Sequence, residues 1–535
     1  MPERTRTAPW TTLLAALTLA VASLAPFALA QETPQYGGVI RVPLATQPGN
    51  FNPLLPSELA STIVYWTLFS PLTVVSPHTN QLEPLLAERW EANADVTSWT
   101  FHLRQDVLWH DGEKVTADDV KFTFDRIMDP AEGSQAITGF ARVTDVVVVD
   151  EYTVRVDMSA PDVFFPDRLA LGGYEIIPEH VLSGFALLAE AVDFNTLMPI
   201  GNGPFKMQQA VPGQYFELVA NEDYFKGRPY LDGITFRVVP DANTRVTELL
   251  AGQLDWVDVL PSQLPAVNAN RNVQVNTFDS LGYQIFAWNL LDERFQDLRV
   301  REAMMYAIDR RAAAAAVSPG LGYVDDVFIP LGITWIERPA DLPFREYDPE
   351  RALALLAEAG WTDTDGDGVL DRNGEPFAFK LLIDRGDVLR EQLGLIVQQY
   401  LVEIGMDVEY DLAERGGRWL EETQARTFQT RLAAFPVTNV DWLRRLYTTT
   451  GQNNGQSYSN PAVDALYEEL SRTPDRADQA LLFAELNRLL YADPPNMVLL
   501  FTERMTASNV RLRGLPNHNL KDSMTFAHEF WLAAP

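Results

Sequence analysis

No cysteine occurs among the 535 residues, yet the chain opens as exported chains do. Arg4 and Arg6 precede an apolar run from Leu13 to Leu29, and Ala28-Leu29-Ala30 offers a small-x-small cleavage site before Gln31. This three-part pattern predicts a secretory signal peptide over residues 1–30, and the run is short for a stable membrane span. An exported chain without disulfides must be held by core burial and polar pairing alone. The material is there: 47% of the residues are hydrophobic and 21% charged, a globular balance that excludes disordered and fibrous folds. The missing thiol also excludes a cysteine nucleophile, thiolate zinc sites, iron–sulfur clusters and a lipid attached through cysteine. The expected product is therefore a periplasmic protein and not a lipoprotein. A formal charge of −31 argues against nucleic acid and anionic membranes as partners.

Periodicity assigns the chain to the α/β class. Val39–Val42 reads as a strand and Ser57–Phe69 as a helix. Ser98–Arg104, Asp145–Val149 and Thr153–Met158 read as strands around one helix, with Thr116 as its N-cap and Asp119 three residues on. Strands follow at Phe205–Gln209, Tyr215–Ala220, Gly233–Val239 and Tyr283–Leu290. Thereafter helices (Arg299–Arg311, Asp348–Gly360, Val388–Ile404) alternate with strands (Phe377–Ile383, Asp407–Leu412). Two more helices, Ala462–Leu470 and Arg476–Ala492, lead into a strand Met497–Phe501. This βα rhythm predicts a sheet covered by helices.

The chain carries no nucleophile elbow, paired-histidine zinc motif or phosphate loop. His110, in Trp109-His110-Asp111-Gly112, reads as a structural histidine beside a turn. Asp363, Asp365, Asp367 and Asp371 match positions 1, 3, 5 and 9 of a calcium loop. Position 12, however, is Gly374 where a bidentate glutamate belongs. A solvated acidic turn is the plainer reading, with structural calcium as the alternative; no other cofactor is expected. Trp288, Trp419, Trp442, Tyr447 and Phe435 could line a ligand cleft or fill a core.

Several stretches carry a specific resemblance. Trp99-Thr100-Phe101-His102-Leu103-Arg104-Gln105-Asp106-Val107-Leu108-Trp109-His110-Asp111-Gly112 runs on to Thr116-Ala117-Asp118-Asp119-Val120-Lys121-Phe122. It is joined by Phe51-Asn52-Pro53, Leu85-Leu86-Ala87-Glu88-Arg89-Trp90, Gly201-Asn202-Gly203-Pro204-Phe205, Asn221-Glu222-Asp223-Tyr224-Phe225 and Arg299-Val300-Arg301-Glu302-Ala303. In this order they resemble the family-5 extracellular solute-binding proteins of ABC importers, the dipeptide/oligopeptide/nickel-binding group. The resemblance covers residues 31–535.

It implies a two-lobed periplasmic-binding-protein type II clamshell with an additional inserted domain. Lobe I would comprise 31–80, 200–288 and 502–535, the inserted domain II 81–199, and lobe III 289–501, with crossings near Trp288-Asn289 and Phe501-Thr502. The implied protein is a monomer and no enzyme. It captures a ligand, short peptides before other solutes, between its lobes and delivers it to ABC importer permease subunits. An oligosaccharide, an opine-like compound or a metal chelate stays open as cargo. Rival roles are a periplasmic peptide hydrolase and a sensory or chaperone protein.

Peptide binders have a tryptophan followed by an acid that pairs with the ligand's amino terminus. Here Phe435 stands at the tryptophan's place and Thr438 or Asn439 at the acid's, with Asp441 and Trp442 close behind. Asp441 could supply the charge from a slightly different position; without such an acid the class of ligand would change. The loop from Ser57 through Leu59 would touch ligand, Trp288 and Asn289 would lie at the cleft, and Arg415 would meet a carboxylate.

Overall fold

The computed structural model describes residues 33–534 except 78, 80, 438, 439 and 517–523. The expected signal peptide, Thr438 and Asn439 lie outside the described residues. Three sheets organise the rest. The first runs Val39–Leu44, Gly233–Val238, Tyr215–Ala220, Phe205–Val211, with its first pair parallel and the others antiparallel. Ile40, Val42 and Leu44 are buried in a core they share with the helix Leu59–Leu68, through Ile63, Val64 and Leu68.

The second sheet is antiparallel: Ala87–Ala92, Ser98–Leu103, Thr153–Met158, Val143–Asp150. It shares its core with the helix Ala117–Met128, whose Val120, Phe124 and Ile127 are fully buried. The expected capping box is present, with Thr116 and Asp119 exchanging backbone contacts. The carboxylate of Asp119 also accepts from Glu179 N at 2.9 Å, tying a second segment to the helix start.

Residues of the resemblance motifs fasten this sheet to the first. His110 Nδ1 accepts from Gly201 N at 3.1 Å and its Nε2 donates to Gly203 O at 3.1 Å, which fixes the neutral ring. Burial pushes the His110 pKa down to about 3. Gly201 and Gly203 press so closely on the end of the Leu59–Leu68 helix that a Cβ at Gly201 would lie 1.9 Å from Leu68 O. The structural reading of His110 therefore accounts for its contacts.

The third sheet has six strands, in the order Trp256–Val259, Asn496–Asn509, Val273–Trp288, Thr430–Pro436, Ala378–Arg385, Asp407–Glu414. Its last two strands are parallel and joined by the helix Val388–Glu403, as the βα rhythm requires. The helix expected over Arg299–Arg311 ends at Ala307, because Asp309 accepts from Ala312 N and caps a new helix, Arg310–Val317.

Two strands of this sheet are far longer than their apolar runs suggest. Val273–Trp288 and Asn496–Asn509 pair along most of their length, with a register break between Asp279 and Gly282, opposite Glu503 and Thr502. Residues before the break share the sheet with Trp256–Val259; residues after it pair with Thr430–Pro436. The break, at Ser280–Gly282 opposite Thr502, separates the stretch that pairs towards Trp256–Val259 from the stretch that pairs with Thr430–Pro436. Leu281, inside the break, holds a φ of 53°, a conformation that costs a branched side chain about 1 kcal/mol or more.

Candidate functional site

The register break floors a cavity of about 580 Å³. One wall comes from Ser57, Leu59, Thr62, Ile63, Tyr65 and Trp66 at the start and inner face of the Leu59–Leu68 helix. A second comes from Ser134–Ala136 and Gly172–Glu175. The third is Trp442 and Arg445 of the helix Asp441–Tyr447, and the floor is Ser280 and Leu281 with Asp258, Arg504 and Phe526. All three sheet systems therefore contribute, and the space has the size of a ligand pocket and a lining that mixes aromatic with polar side chains.

Its charged groups are few. Asp258 and Arg504 are open to the solvent of the cavity, and enclosure by the walls raises the Asp258 pKa despite the nearby Arg504. Glu175 is almost fully buried, and its carboxylate accepts from Gly173 N at 2.8 Å. Burial and the Glu175 charge keep the Tyr65 phenol protonated. Arg445 stands over the Trp442 ring, 5.4 Å from its centroid.

Of the residues expected from the sequence, Ser57, Leu59 and Trp442 meet in this cavity. The other described ones lie elsewhere. Trp288 is fully buried in a core and donates to the Met304 sulfur at 3.2 Å. Asn289 is 5% exposed, and its amide is spent on Arg426 O and Phe428 O, closing the loop before Thr430. Phe435 packs edge-on against Tyr283. Arg415 is exposed, 3.8 Å from Asp384, and does not line the cavity.

Asp441 requires a correction. It is 2% exposed and sits behind Trp442 and Arg445, not on the cavity surface. Its Oδ1 accepts from Arg444 at 2.8 Å, and its Oδ2 lies 3.5 Å from both Arg168 and Arg445. Burial alone would raise its pKa, but the Arg168 and Arg444 guanidiniums outweigh that and hold it well below the usual carboxylate range. A carboxylate engaged by three guanidiniums is not free to receive a ligand's ammonium. Instead it joins the segment around Arg168 to the later half of the chain, together with Arg476–Asp167 and the hydrogen bond from Val163 N to Ser471 O.

Sequence reasoning missed Tyr65, Trp66, Glu175, Leu281, Arg445 and Arg504. One signal was available: Arg444 and Arg445 follow Asp441 at i+3 and i+4 on one helix, the spacing at which an acid is paired by its own helix.

In the acidic turn, carboxylate oxygens of Asp363, Asp365 and Asp371 lie within 4.8 Å of one another. Asp367 is not among them; it accepts from Val369 N at 2.8 Å. Asp363 caps Gly366 N and Gly368 N, and Asp371 is bound by Thr364. These bonds already satisfy much of the acidic turn's hydrogen-bonding capacity.

A mixed α/β chain whose two longest strands run on across a register break, with a cavity at that break, has the fold of the periplasmic binding proteins. The particular family follows from similarity: residues 81–457 match the middle region of the bacterial extracellular solute-binding proteins, family 5, and the chain belongs to that family. The oligopeptide-binding protein AppA of Bacillus subtilis is 31% identical over 511 residues, covering 94% of this chain and 92% of its own. The structure of AppA from Bacillus subtilis in complex with a nonapeptide superposes with a TM-score of 0.75 at 29% identity, covering 94% of this chain and all of the other. HbpA2 from Haemophilus parasuis, at 22% identity and a TM-score of 0.81 over 93% of this chain and all of its own, shares the fold. Among the described residues no helix is long and apolar enough to cross a membrane.

Proposed function

We propose that this protein binds short peptides in the cavity between its halves and, closed around them, hands them to the permease of an ABC importer. The observation that carries the reading is the enclosed, aromatic-walled cavity at the crossing of the two shared strands, in a chain similar throughout to an oligopeptide-binding protein. A ligand touching both Trp66 on one half and Trp442 on the other stabilises the closed arrangement by its contacts to both. The cavity holds a few residues of extended peptide, whose polar backbone Ser57, Thr62 and Ser134 can meet while side chains rest on the aromatic walls.

The leader over residues 1–30 would deliver the protein to the periplasm without a lipid, to work there as a monomer. Ranges 31–80, 200–288 and 502–535 for one lobe, 81–199 for the inserted domain and 289–501 for the other remain the proposed division. Calorimetric titration with synthetic di- to nonapeptides tests the function. Saturable binding that Trp442→Ala weakens is expected, and indifference to every peptide would refute it.

A further inference from the structure

The charge cluster behind Trp442 is unbalanced. It contains three guanidiniums, Arg168, Arg444 and Arg445, and two carboxylates, Asp162 and Asp441. The short contacts go to the first two arginines. Asp162 accepts from Arg168 at 2.9 and 3.2 Å, and Asp441 accepts from Arg444 at 2.8 Å. Among the carboxylates of the described residues, Arg445 is approached by Asp441 at 3.5 Å, and it is the one member of the cluster that lines the cavity. Its side chain is 16% exposed, steadied by the Trp442 ring and by the neighbouring Tyr174.

We infer that Arg445 receives a carboxylate of the ligand, so that the end of the cavity beside Trp442 selects an anionic group where an ammonium was expected. The inference rests on the peptide reading and names the charge that this end of the cavity takes. A guanidinium held in place presents a planar fork that fits a carboxylate with two hydrogen bonds. An ammonium at the same spot would meet a partly buried cation whose counter-charge is already shared three ways, and would be repelled. Of the acids lining the cavity, Glu175 follows Tyr174 and is engaged by Gly173 N at 2.8 Å, and Asp258 stands on the floor.

Titration of the unmodified protein with four probes tests this: pentaalanine as the free acid, its C-terminal amide, its N-acetylated free acid, and the amide of Ala-Ala-Glu-Ala-Ala. Amidation should weaken binding by about 10- to 100-fold, the cost of losing one charge-assisted pair. Recovery by the internal glutamate would assign the anion to a side chain, and no recovery would assign it to the C-terminus; either supports the inference. Arg445→Gln should remove the same factor from the free acid and leave the amide's affinity unchanged. Equal binding of acid and amide, or a large loss on N-acetylation alone, would overturn the inference while leaving the peptide reading in place. Failure of all four to bind would overturn both. Because the amide arm uses the intact protein, misfolding of the variant cannot imitate the result.

Discussion

Asp441→Asn removes one negative charge while keeping the shape of the side chain. It leaves the Asp162 carboxylate to balance three guanidiniums. Stripping one partner from a buried ion pair costs about 3–5 kcal/mol. Arg168 and Asp441 are 4% and 3% exposed in their side chains, so water does little to repair their loss. Arg444 is 32% exposed and part of its share is screened, which places the expected loss near the lower end, about 3 kcal/mol. Urea unfolding followed by tryptophan fluorescence at pH 7 measures it. The sign of the pH dependence is fixed too. Because the folded Asp441 carboxyl titrates below its unfolded value of about 3.9, its contribution is present above that pH and fades as the pH falls further. The difference between wild type and variant should therefore be flat from pH 8 to pH 5 and shrink below about 4. Full stability in the variant, together with lost peptide affinity, would refute the structural role and restore Asp441 as a ligand anchor.

Burial also holds His528 neutral, with its pKa lowered, like that of His110, to about 3. The unfolded chain takes up these protons below about pH 6.5 and the folded chain does not, so stability should fall with pH by ~1.4 kcal/mol per histidine per unit. Replacing His528 by Gln should halve that slope in denaturation at pH 6 and 5. Gly201→Ala must push against the Leu68 carbonyl and should cost ~2–4 kcal/mol or prevent folding, read from expression and the urea midpoint. Calcium at 1 mM should stabilise the protein by no more than about 0.4 kcal/mol, the value for a millimolar site, because the turn's carboxylates are already engaged. A large calcium-dependent rise in the melting temperature would reinstate a true calcium loop.

Much of the fold was legible because its elements follow simple rules. The capped helix Ala117–Met128, the strand Thr153–Met158 and the helix Val388–Glu403 declare themselves by period and by end residues. The two long strands did not. In Val273–Trp288 the first half reads Val-Gln-Val-Asn-Thr, a partly exposed pattern beside a fully buried one, so only the apolar end stood out. The cavity was harder still, because it is assembled from segments hundreds of residues apart. Trp66 lies in a helix whose neighbours are nearly all buried, and from sequence alone it is indistinguishable from core. Asp441 misled because an acid after an aromatic invites a ligand, whereas the arginine that binds it most deeply, Arg168, is 273 residues away.

The central claim is that the cavity between the halves takes short peptides. Native mass spectrometry of the protein released gently from its own periplasm tests it directly, with the denatured mass as reference. The account predicts adducts that fragment into amino acids. A single adduct that yields none, such as a sugar or a metal chelate, would contradict it and move the cargo to another class of solute.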